Sequence, residues 1–148
     1  MTKQKIITVS LAVVFVLILV QIGLWIYEQS YAKNQEIIQA TPMDLVIVLQ
    51  DAGYHISSIE EWDLDDVDGR FGDVEAFITI DINGYHGIFF SYSSWEVARS
   101  AAKIKNELDL ELYGKQGSAF HYGPVVVFIH PSDKEFGSEL LNVLREND

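Results

Sequence analysis

The sequence contains no cysteine and few basic residues, and these two features exclude several classes of protein. Its 148 residues include 10 Lys and Arg against 22 Asp and Glu, a formal charge of -12. A chain without cysteine is neither a disulfide-stapled secreted module nor a Cys-ligated zinc domain. An acidic chain does not neutralise phosphates, so we expect no nucleic-acid partner. Because 49 % of the residues are hydrophobic, an acidic disordered tail is excluded as well.

One long uncharged apolar run, residues 6–27, lies close to the N-terminus. It reads IITVSLAVVFVLILVQIGLWIY, and 15 of its residues are Leu, Ile, Val or Phe. An α-helix of that length rises about 33 Å, against about 30 Å for the hydrocarbon core of a bilayer. Trp25 and Tyr27 fall at one end, where aromatic rings favour the headgroup region. The run predicts a transmembrane signal-anchor helix whose partner is the lipid bilayer.

The charges that flank this run predict its orientation. Lys3 and Lys5 precede the run, whereas two acidic residues and one lysine follow it within ten residues: Glu28, Lys33 and Glu36. Because positive flanks stay on the cytoplasmic side, we expect residues 1–5 in the cytoplasm and the C-terminal part outside the cell membrane. The alternative is a cleaved signal peptide, since Ser30 and Ala32 fit a small-x-small cleavage site, although its apolar region is usually about 7 to 15 residues long.

The rest of the chain divides into a short stalk, residues 28–40, and one acidic domain, residues 41–148. The stalk has no Gly or Pro and predicts a helical continuation of the span. The domain carries 7 basic and 20 acidic residues, a net charge of -13. Its hydrophobic patterns predict an α/β (α+β) fold of order α-β-β-β-α-β-α, with a four-stranded mixed sheet packed by helices.

Three helix starts can be read in the domain. Thr41 precedes Pro42 as an N-cap, and two capping boxes pair Ser93 with Glu96 and Ser132 with Glu135. In the helix that follows Ser93, the spacing of apolar residues predicts a buried stripe formed by Val97, Ala101, Ile104 and Leu108.

Two strand patterns determine the predicted sheet. Asn83-Gly84 separates residues 74–82 from 85–92, which predicts a hairpin with a two-residue turn and apolar side chains on both faces. Residues 120–130 have no apolar alternation, which predicts a single strand buried on both faces. The helix between the hairpin and that strand is a crossover, so we expect the strands it joins to be parallel neighbours.

An acidic segment, residues 60–75, holds eight carboxylates and matches a calcium-binding loop in part. Asp66, Asp68 and Glu75 fall at ligand positions three, five and twelve, and Gly69 falls at the tight turn. The first ligand position is occupied by Leu64, which cannot bind the ion. The sequence therefore leaves two interpretations open, a weak calcium site or a solvated acidic loop.

The histidines and surface aromatics offer little further chemistry. The hairpin register places Asp81 opposite His86, which is either an oriented general base or an exposed ion pair. His121 and His130 are nine residues apart on one predicted strand, so we expect them on opposite faces. Aromatic residues near turns suggest sugar or peptide stacking, or half-buried packing, and they are Trp62, Phe71, Tyr85, Trp95, Tyr113 and Tyr122.

Dense structural signals and sparse chemical ones are typical of an interaction module. We therefore expect a membrane-anchored, extracytoplasmic binding or regulatory module that is not an enzyme, uses no cofactor and binds a protein partner at the outer membrane face. The alternative is a small extracytoplasmic hydrolase, or a calcium- or metal-dependent domain, that uses residues 60–75. An exposed apolar patch would favour the first interpretation, and converging carboxylates and histidines would favour the second.

Overall fold

A computed structural model describes residues 3–147 and shows an α+β chain. Two compact units are present, Met1–Asn34 and Gln35–Asp148. The described residues form four α-helices: α1 Lys3–Ile37, α2 Pro42–Asp51, α3 Trp95–Tyr113 and α4 Lys134–Glu146. They also form five strands: β1 Ile56–Glu61, β2 Ala76–Ile82, β3 Tyr85–Ser91, β4 Phe120–Tyr122 and β5 Val125–His130. The α+β class predicted from the sequence is confirmed.

Helix α1 contains the apolar run and most of the predicted stalk in one continuous helix. Within the described part of the chain, it is the one helix long and apolar enough to cross a membrane, and an 18-residue window within Ala12–Ile37 has a mean hydropathy of 1.8. The second compact unit begins at Gln35, whereas the sequence placed the domain start at residue 41. Gln35 is buried in that unit, where its side-chain Oε1 accepts a hydrogen bond from Gly123 N at 3.0 Å.

The sheet has five antiparallel strands in the order β1-β2-β3-β5-β4, so the predicted four-stranded mixed sheet is wrong. The β2–β3 hairpin has the predicted register, from Ile82 opposite Tyr85 to Phe77 opposite Phe90. The predicted parallel pairing fails for a topological reason. α3 does lead from β3 to a strand of the same direction, β4, but β5 lies between the two and is antiparallel to both.

The predicted single strand over residues 120–130 is in fact a tight hairpin. Gly123 adopts a left-handed conformation with φ 53°, and Pro124 follows it. Glycine adopts positive φ without the steric cost of a Cβ, and a proline cannot donate a ladder hydrogen bond. The turn converts one long strand into the short edge strand β4 and the central strand β5, whose Val125, Val126 and Val127 are fully buried.

Helices α2 and α4 cover one face of the sheet. The shared core is made of branched aliphatic and aromatic side chains from both helices and four strands: Leu45, Val46, Leu49, Ile78, Ile80, Ile82, Phe89, Phe120, Tyr122, Val125, Val127, Ile129, Phe136, Leu140 and Leu144. The predicted Thr41 cap of α2 is confirmed, because Thr41 and Asp44 form a reciprocal capping box. Packing in this layer holds α2 and α4 against the sheet.

Helix α3 and the acidic segment cover the opposite face. The second core cluster contains Phe77, Phe90, Tyr92, Ala98, Ala102, Ala119 and Val126, with Val67, Phe71, Val74 and Phe128 packed around it. Both faces of the β2–β3 hairpin are therefore covered, as the sequence predicted. The sheet lies between two layers, and the acidic segment is part of one of them.

The two predicted capping boxes are displaced by one residue. Ser94, not Ser93, is the N-cap of α3, and its hydroxyl accepts from Val97 N at 3.4 Å. Asp133, not Ser132, is the N-cap of α4, and its Oδ1 accepts from Phe136 N at 2.9 Å. A carboxylate is a stronger acceptor than a hydroxyl, which favours Asp133 as the cap. The Ser132 hydroxyl is therefore not needed for capping and can form another hydrogen bond.

Candidate functional site

The acidic segment forms two short 3₁₀ turns whose carboxylates cap their own backbone. Asp63 Oδ1 accepts from Asp65 N at 3.1 Å, and Asp68 Oδ1 accepts from Arg70 N at 2.9 Å. Asp68 also pairs with the Arg70 guanidinium at 2.6 Å. The hydrogen bonds from Arg70 hold the pKa of the Asp68 carboxyl below its usual value. Asp68, one of the predicted calcium ligands, is therefore already engaged by a cation and a backbone N–H.

Phe71 fixes the acidic segment to the sheet. Its ring makes edge contacts with Phe77 and Phe90 at centroid distances of 5.1 and 5.3 Å. The Tyr92 hydroxyl donates to the Phe71 carbonyl at 2.6 Å. Aromatic pairs in this geometry contribute about 0.5 to 1.5 kcal/mol beyond their buried area. Phe71, one of the aromatic residues near predicted turns, thus packs the acidic segment onto the sheet.

The three candidate calcium ligands do not form a group. Asp66 and Asp68 lie on the two turns, whereas Glu75 lies next to β2 and its backbone N–H bonds to Ser91 O at 2.8 Å. Among residues 3–147, no cluster of three or more His, Asp or Glu side chains has an arrangement that holds a metal ion. The described part of the acidic segment thus favours a solvated loop with an apolar underside.

Asp81 and His86 face each other across the hairpin, as predicted from the register. His86 Nδ1 lies 3.5 Å from Asp81 Oδ1, and each side chain is 49 % exposed. The strand pairings extend this row to Ser57 beside Asp81 and to His130 beside His86. A nucleophilic triad needs the imidazole between the hydroxyl and the carboxylate, but here Asp81 lies between Ser57 and His86. The order therefore does not support triad chemistry.

His121 and His130 are on the same face, not on opposite faces of one strand. The hairpin pairs His121 with Val126, and Val126 and His130 are an even number of residues apart on β5. His121 stacks on Trp95 with ring centroids 6.4 Å apart. Burial holds the pKa of the His121 imidazole below its usual value, and the nearby charges of Arg99 and Arg145 act in the same direction. His121 is thus a packed side chain whose burial favours the neutral imidazole.

A cavity of about 550 Å³ opens beside the N-terminus of α3. Three carboxylates and two aromatic rings line it: Glu36, Glu75, Glu96, Tyr92 and Trp95. Such a lining is suited to a cation rather than to an anion. All three glutamates are exposed, so they are solvated in the absence of a ligand.

The side of α3 that faces the sheet is small and polar. Ala98 and Ala102 are buried there, and Asn106 exchanges two hydrogen bonds with the backbone of Ala119, at 2.8 and 2.9 Å. Further along, Asp109 is only 4 % exposed and forms an ion pair with Lys105. Two alanines allow a close approach to the sheet, and the polar residues fix the position of the helix.

The larger apolar residues of α3 are consequently exposed. The stripe predicted to be buried is open at Val97, Ile104 and Leu108, with exposed fractions of 47 %, 56 % and 45 %. Leu112, one turn further, is 65 % exposed. We refer to Val97, Ala101, Ile104, Leu108 and Leu112 as the α3 stripe. Ala101 is half-buried against the second core cluster, so the four larger residues form the exposed part of the stripe. Several exposed apolar residues along one side of a stable helix are typical of a protein-binding surface.

Sequence reasoning missed this surface because hydrophobic periodicity alone cannot distinguish a core-facing stripe from a partner-facing one. One sequence signal was available, since Ala98 and Ala102 are also spaced by four residues and define a second, smaller apolar face. His130 was missed as a neighbour of His86 because that contact depends on the order of the strands.

The sequence matches no protein-family model, and neither a curated protein nor a solved structure is significantly similar to it. Inference about function therefore depends on the geometry of the described residues, above all on the α3 stripe.

Proposed function

We propose that this chain is a membrane-anchored, extracytoplasmic interaction module that is not an enzyme. Its partner is a protein that presents an amphipathic helix to the α3 stripe. The observation that carries this proposal is the exposure of the α3 stripe on a helix whose opposite side is fixed to the sheet. Helix-in-groove recognition uses anchors at the same three- and four-residue spacing as Val97, Ala101, Ile104 and Leu108.

Burial of the α3 stripe would supply part of the free energy of recognition. Complete burial of an Ile, Leu or Val side chain contributes about 1.5 to 3 kcal/mol, so each half-exposed member gains roughly 1 kcal/mol in contact with a partner. Because Asn106 and the Lys105–Asp109 pair already hold α3 in place, binding does not require the helix to be ordered first. A preorganised surface loses less entropy on association.

Helix α1 and its flanking charges support the proposed position of the module at the outer face. The apolar helix is long enough to cross a bilayer, and Lys3 and Lys5 lie on the N-terminal side. Positive flanks remain cytoplasmic, which would place residues 28–148 outside. Attachment through a single span would keep the α3 stripe at the membrane, where its partners are also expected.

Site-specific photo-crosslinking in the native membrane tests the partner. A photoreactive side chain in place of Ile104 should capture a protein, because this residue is the centre of the α3 stripe. The matched control is Ile47, which is 49 % exposed on α2 at the opposite side of the sheet. An adduct at position 104 and none at position 47 is the expected result. If position 104 captures no protein, the proposal is wrong.

The absence of cysteine makes the topology directly measurable. Single cysteines are introduced as Thr2→Cys and Ser100→Cys, and intact cells are treated with a maleimide that cannot cross the membrane. We expect labelling of the Ser100→Cys chain alone, with both chains labelled after the membrane is opened. Labelling of Thr2→Cys in intact cells would show that the N-terminus is outside and that the proposed orientation is wrong. A mature mass lacking about 32 residues would instead indicate signal-peptide cleavage.

A further inference from the structure

We infer that the amphipathic helix bound by α3 is α3 of a second copy of this chain, in antiparallel orientation. The inference rests on the proposed function, because it identifies the occupant of the same surface. It follows from the spacing of the stripe, from the order of charges along α3 and from the charge on the rest of the domain.

The α3 stripe is suited to contact its own copy. Its residues follow one another at intervals of four, three, four and four, which approximates the spacing of a coiled-coil seam over two heptads. Two identical helices with such a seam pack at about 20° to each other. In a symmetric dimer the same patch is used twice, so a two-fold axis near Ile104 places Val97 of one copy beside Leu112 of the other.

The charges along α3 favour the antiparallel arrangement. Lys105 and Asp109 are paired within the domain, and without them residues 95–105 carry two basic side chains and one acidic one, whereas residues 106–113 carry two acidic side chains and no basic one. Two antiparallel copies place the basic half of each helix against the acidic half of the other. Lys103 and Glu107 form an exposed pair within the helix at 3.8 Å, and in the antiparallel dimer each can also approach the other residue of the partner copy. A parallel arrangement would place like charges together.

The remaining surface opposes contact between copies. Residues 41–94 carry 11 acidic side chains and one basic one, and residues 41–148 have a net charge of -13. Two such domains repel each other unless the surfaces that meet are close to neutral. Residues 95–113 have four acidic and three basic side chains, so α3 combines near-neutrality with exposed apolar residues. A common membrane anchor would raise the local concentration of copies further.

Disulfide trapping of the full-length chain in its membrane tests the pairing. The variant Ile104→Cys places a thiol near the proposed two-fold axis, within reach of the same thiol in the second copy. The control is Ile47→Cys, of similar exposure on another helix. Mild oxidation should give a dimer, twice the 16.8 kDa of one chain, with Ile104→Cys and much less with Ile47→Cys. Equal yields from both variants would overturn the inference.

A charge exchange distinguishes the two helix orientations. In the Ile104→Cys background, Lys103→Glu and Glu107→Lys each replace an attractive contact by a repulsive one and should lower the dimer yield roughly fivefold. Co-expression of the two single variants should restore the yield as a mixed dimer, and so should the double variant. Each single variant also loses the Lys103–Glu107 pair within its own helix, and the double variant regains it, so only the mixed dimer reports on the contact between copies. If co-expression does not restore the yield, the antiparallel arrangement is wrong.

The two experiments together separate this inference from the proposed function. If the photoreactive side chain at position 104 captures a different protein and Ile104→Cys gives no dimer, the interaction module stands but self-association fails. If position 104 captures nothing and gives no dimer, both fail. Unchanged circular dichroism of each variant confirms that loss of the dimer is not loss of the fold.

Discussion

Ser132 donates its hydroxyl hydrogen to Asp109 Oδ2 at 2.9 Å, which joins the turn after β5 to the C-terminal part of α3. Asp109 is buried, and its other carboxylate oxygen pairs with Lys105 Nζ. A buried carboxylate is tolerated only when its oxygens have partners. This small network determines which side of α3 faces the sheet, and it therefore determines that the α3 stripe is exposed.

Removing the buried carboxylate should destabilise the domain. Asp109→Ala leaves Ser132 without its acceptor and Lys105 without its counter-charge, so we expect a loss of about 2 kcal/mol in the free energy of unfolding. Ser132→Ala should cost about 1 kcal/mol, because Asp109 keeps Lys105. Urea unfolding of the full-length chain in detergent, followed by tryptophan fluorescence, measures both. Equal stability of Asp109→Ala and the native chain would show that the network does not position α3.

Substitutions on the two sides of α3 should differ in their effect on the free energy of unfolding. Ala102 is buried against the sheet, so Ala102→Leu overpacks that contact and should cost about 1 to 3 kcal/mol. Ile104→Ala, two residues away on the exposed side, should change the free energy of unfolding by less than about 0.5 kcal/mol. The same unfolding measurement compares them. The reverse order of costs would mean that the α3 stripe is buried.

The sequence predicted local structure well because caps and turns are local. Asn83-Gly84 predicted the hairpin register, and Thr41-Pro42 predicted the start of α2, since both depend on residues within a few positions. The strand order was not predictable, because a two-residue reversal at Gly123-Pro124 inserts β5 between β3 and β4. The predicted buried side of α3 was wrong. The sequence offers two apolar sides, one with the large residues of the α3 stripe and one with Ala98 and Ala102, and the shape of the sheet surface decides which of them is buried.

Among the candidate site residues, the pairing of Asp81 with His86 within one hairpin was predictable from the sequence. The approach of His130 from another strand was not. Asp81 opposite His86 follows from the hairpin register alone. The proximity of His130 depends on a strand more than 40 positions away. For the acidic segment, a motif predicts ligand identities but not that Arg70 would engage Asp68 or that Phe71 would be drawn into the aromatic cluster.

Addition of calcium should leave the acidic segment unaffected. Asp63 and Asp68 accept backbone hydrogen bonds in their turns, and Asp68 also pairs with Arg70, so binding an ion would break existing contacts. We expect no change in the unfolding temperature with millimolar calcium relative to the same concentration of magnesium. A rise with calcium that is lost in Asp66→Asn would instead support the calcium-dependent alternative.

Tyr54 should make stability sensitive to alkaline pH. Burial raises the pKa of the Tyr54 phenol to about 12, and a hydrogen bond donated to Glu139 adds to the shift. The unfolded value is about 10, so the contribution of the neutral phenol is fully present below pH 10 and is lost between pH 10 and pH 12. Tyr54→Phe has no such group, and its free energy of unfolding should fall less over that interval.

The Tyr54 prediction needs a matched control, because burial also raises the pKa of Tyr92, and a hydrogen bond to Asp133 raises that of Tyr85. Tyr113 is an exposed tyrosine at the end of α3, so Tyr113→Phe should retain the full alkaline loss. Parallel losses in Tyr54→Phe and Tyr113→Phe would contradict the role of Tyr54.

His121 should make stability sensitive to mildly acidic pH. Burial lowers the pKa of the folded imidazole below the unfolded value of about 6.5, so unfolding takes up a proton as the pH falls. Its contribution is fully present above pH 6.5 and is lost as the pH falls through the lower folded value.

His121→Phe keeps a ring against Trp95 but cannot titrate, so its free energy of unfolding should decline less between pH 7 and pH 5 than that of the native chain. His55→Gln, at an exposed histidine before β1, should decline like the native chain. Identical slopes for His121→Phe and the native chain would show that the imidazole is not held neutral, and the polar backbone around Gly123 would then have to solvate its charge.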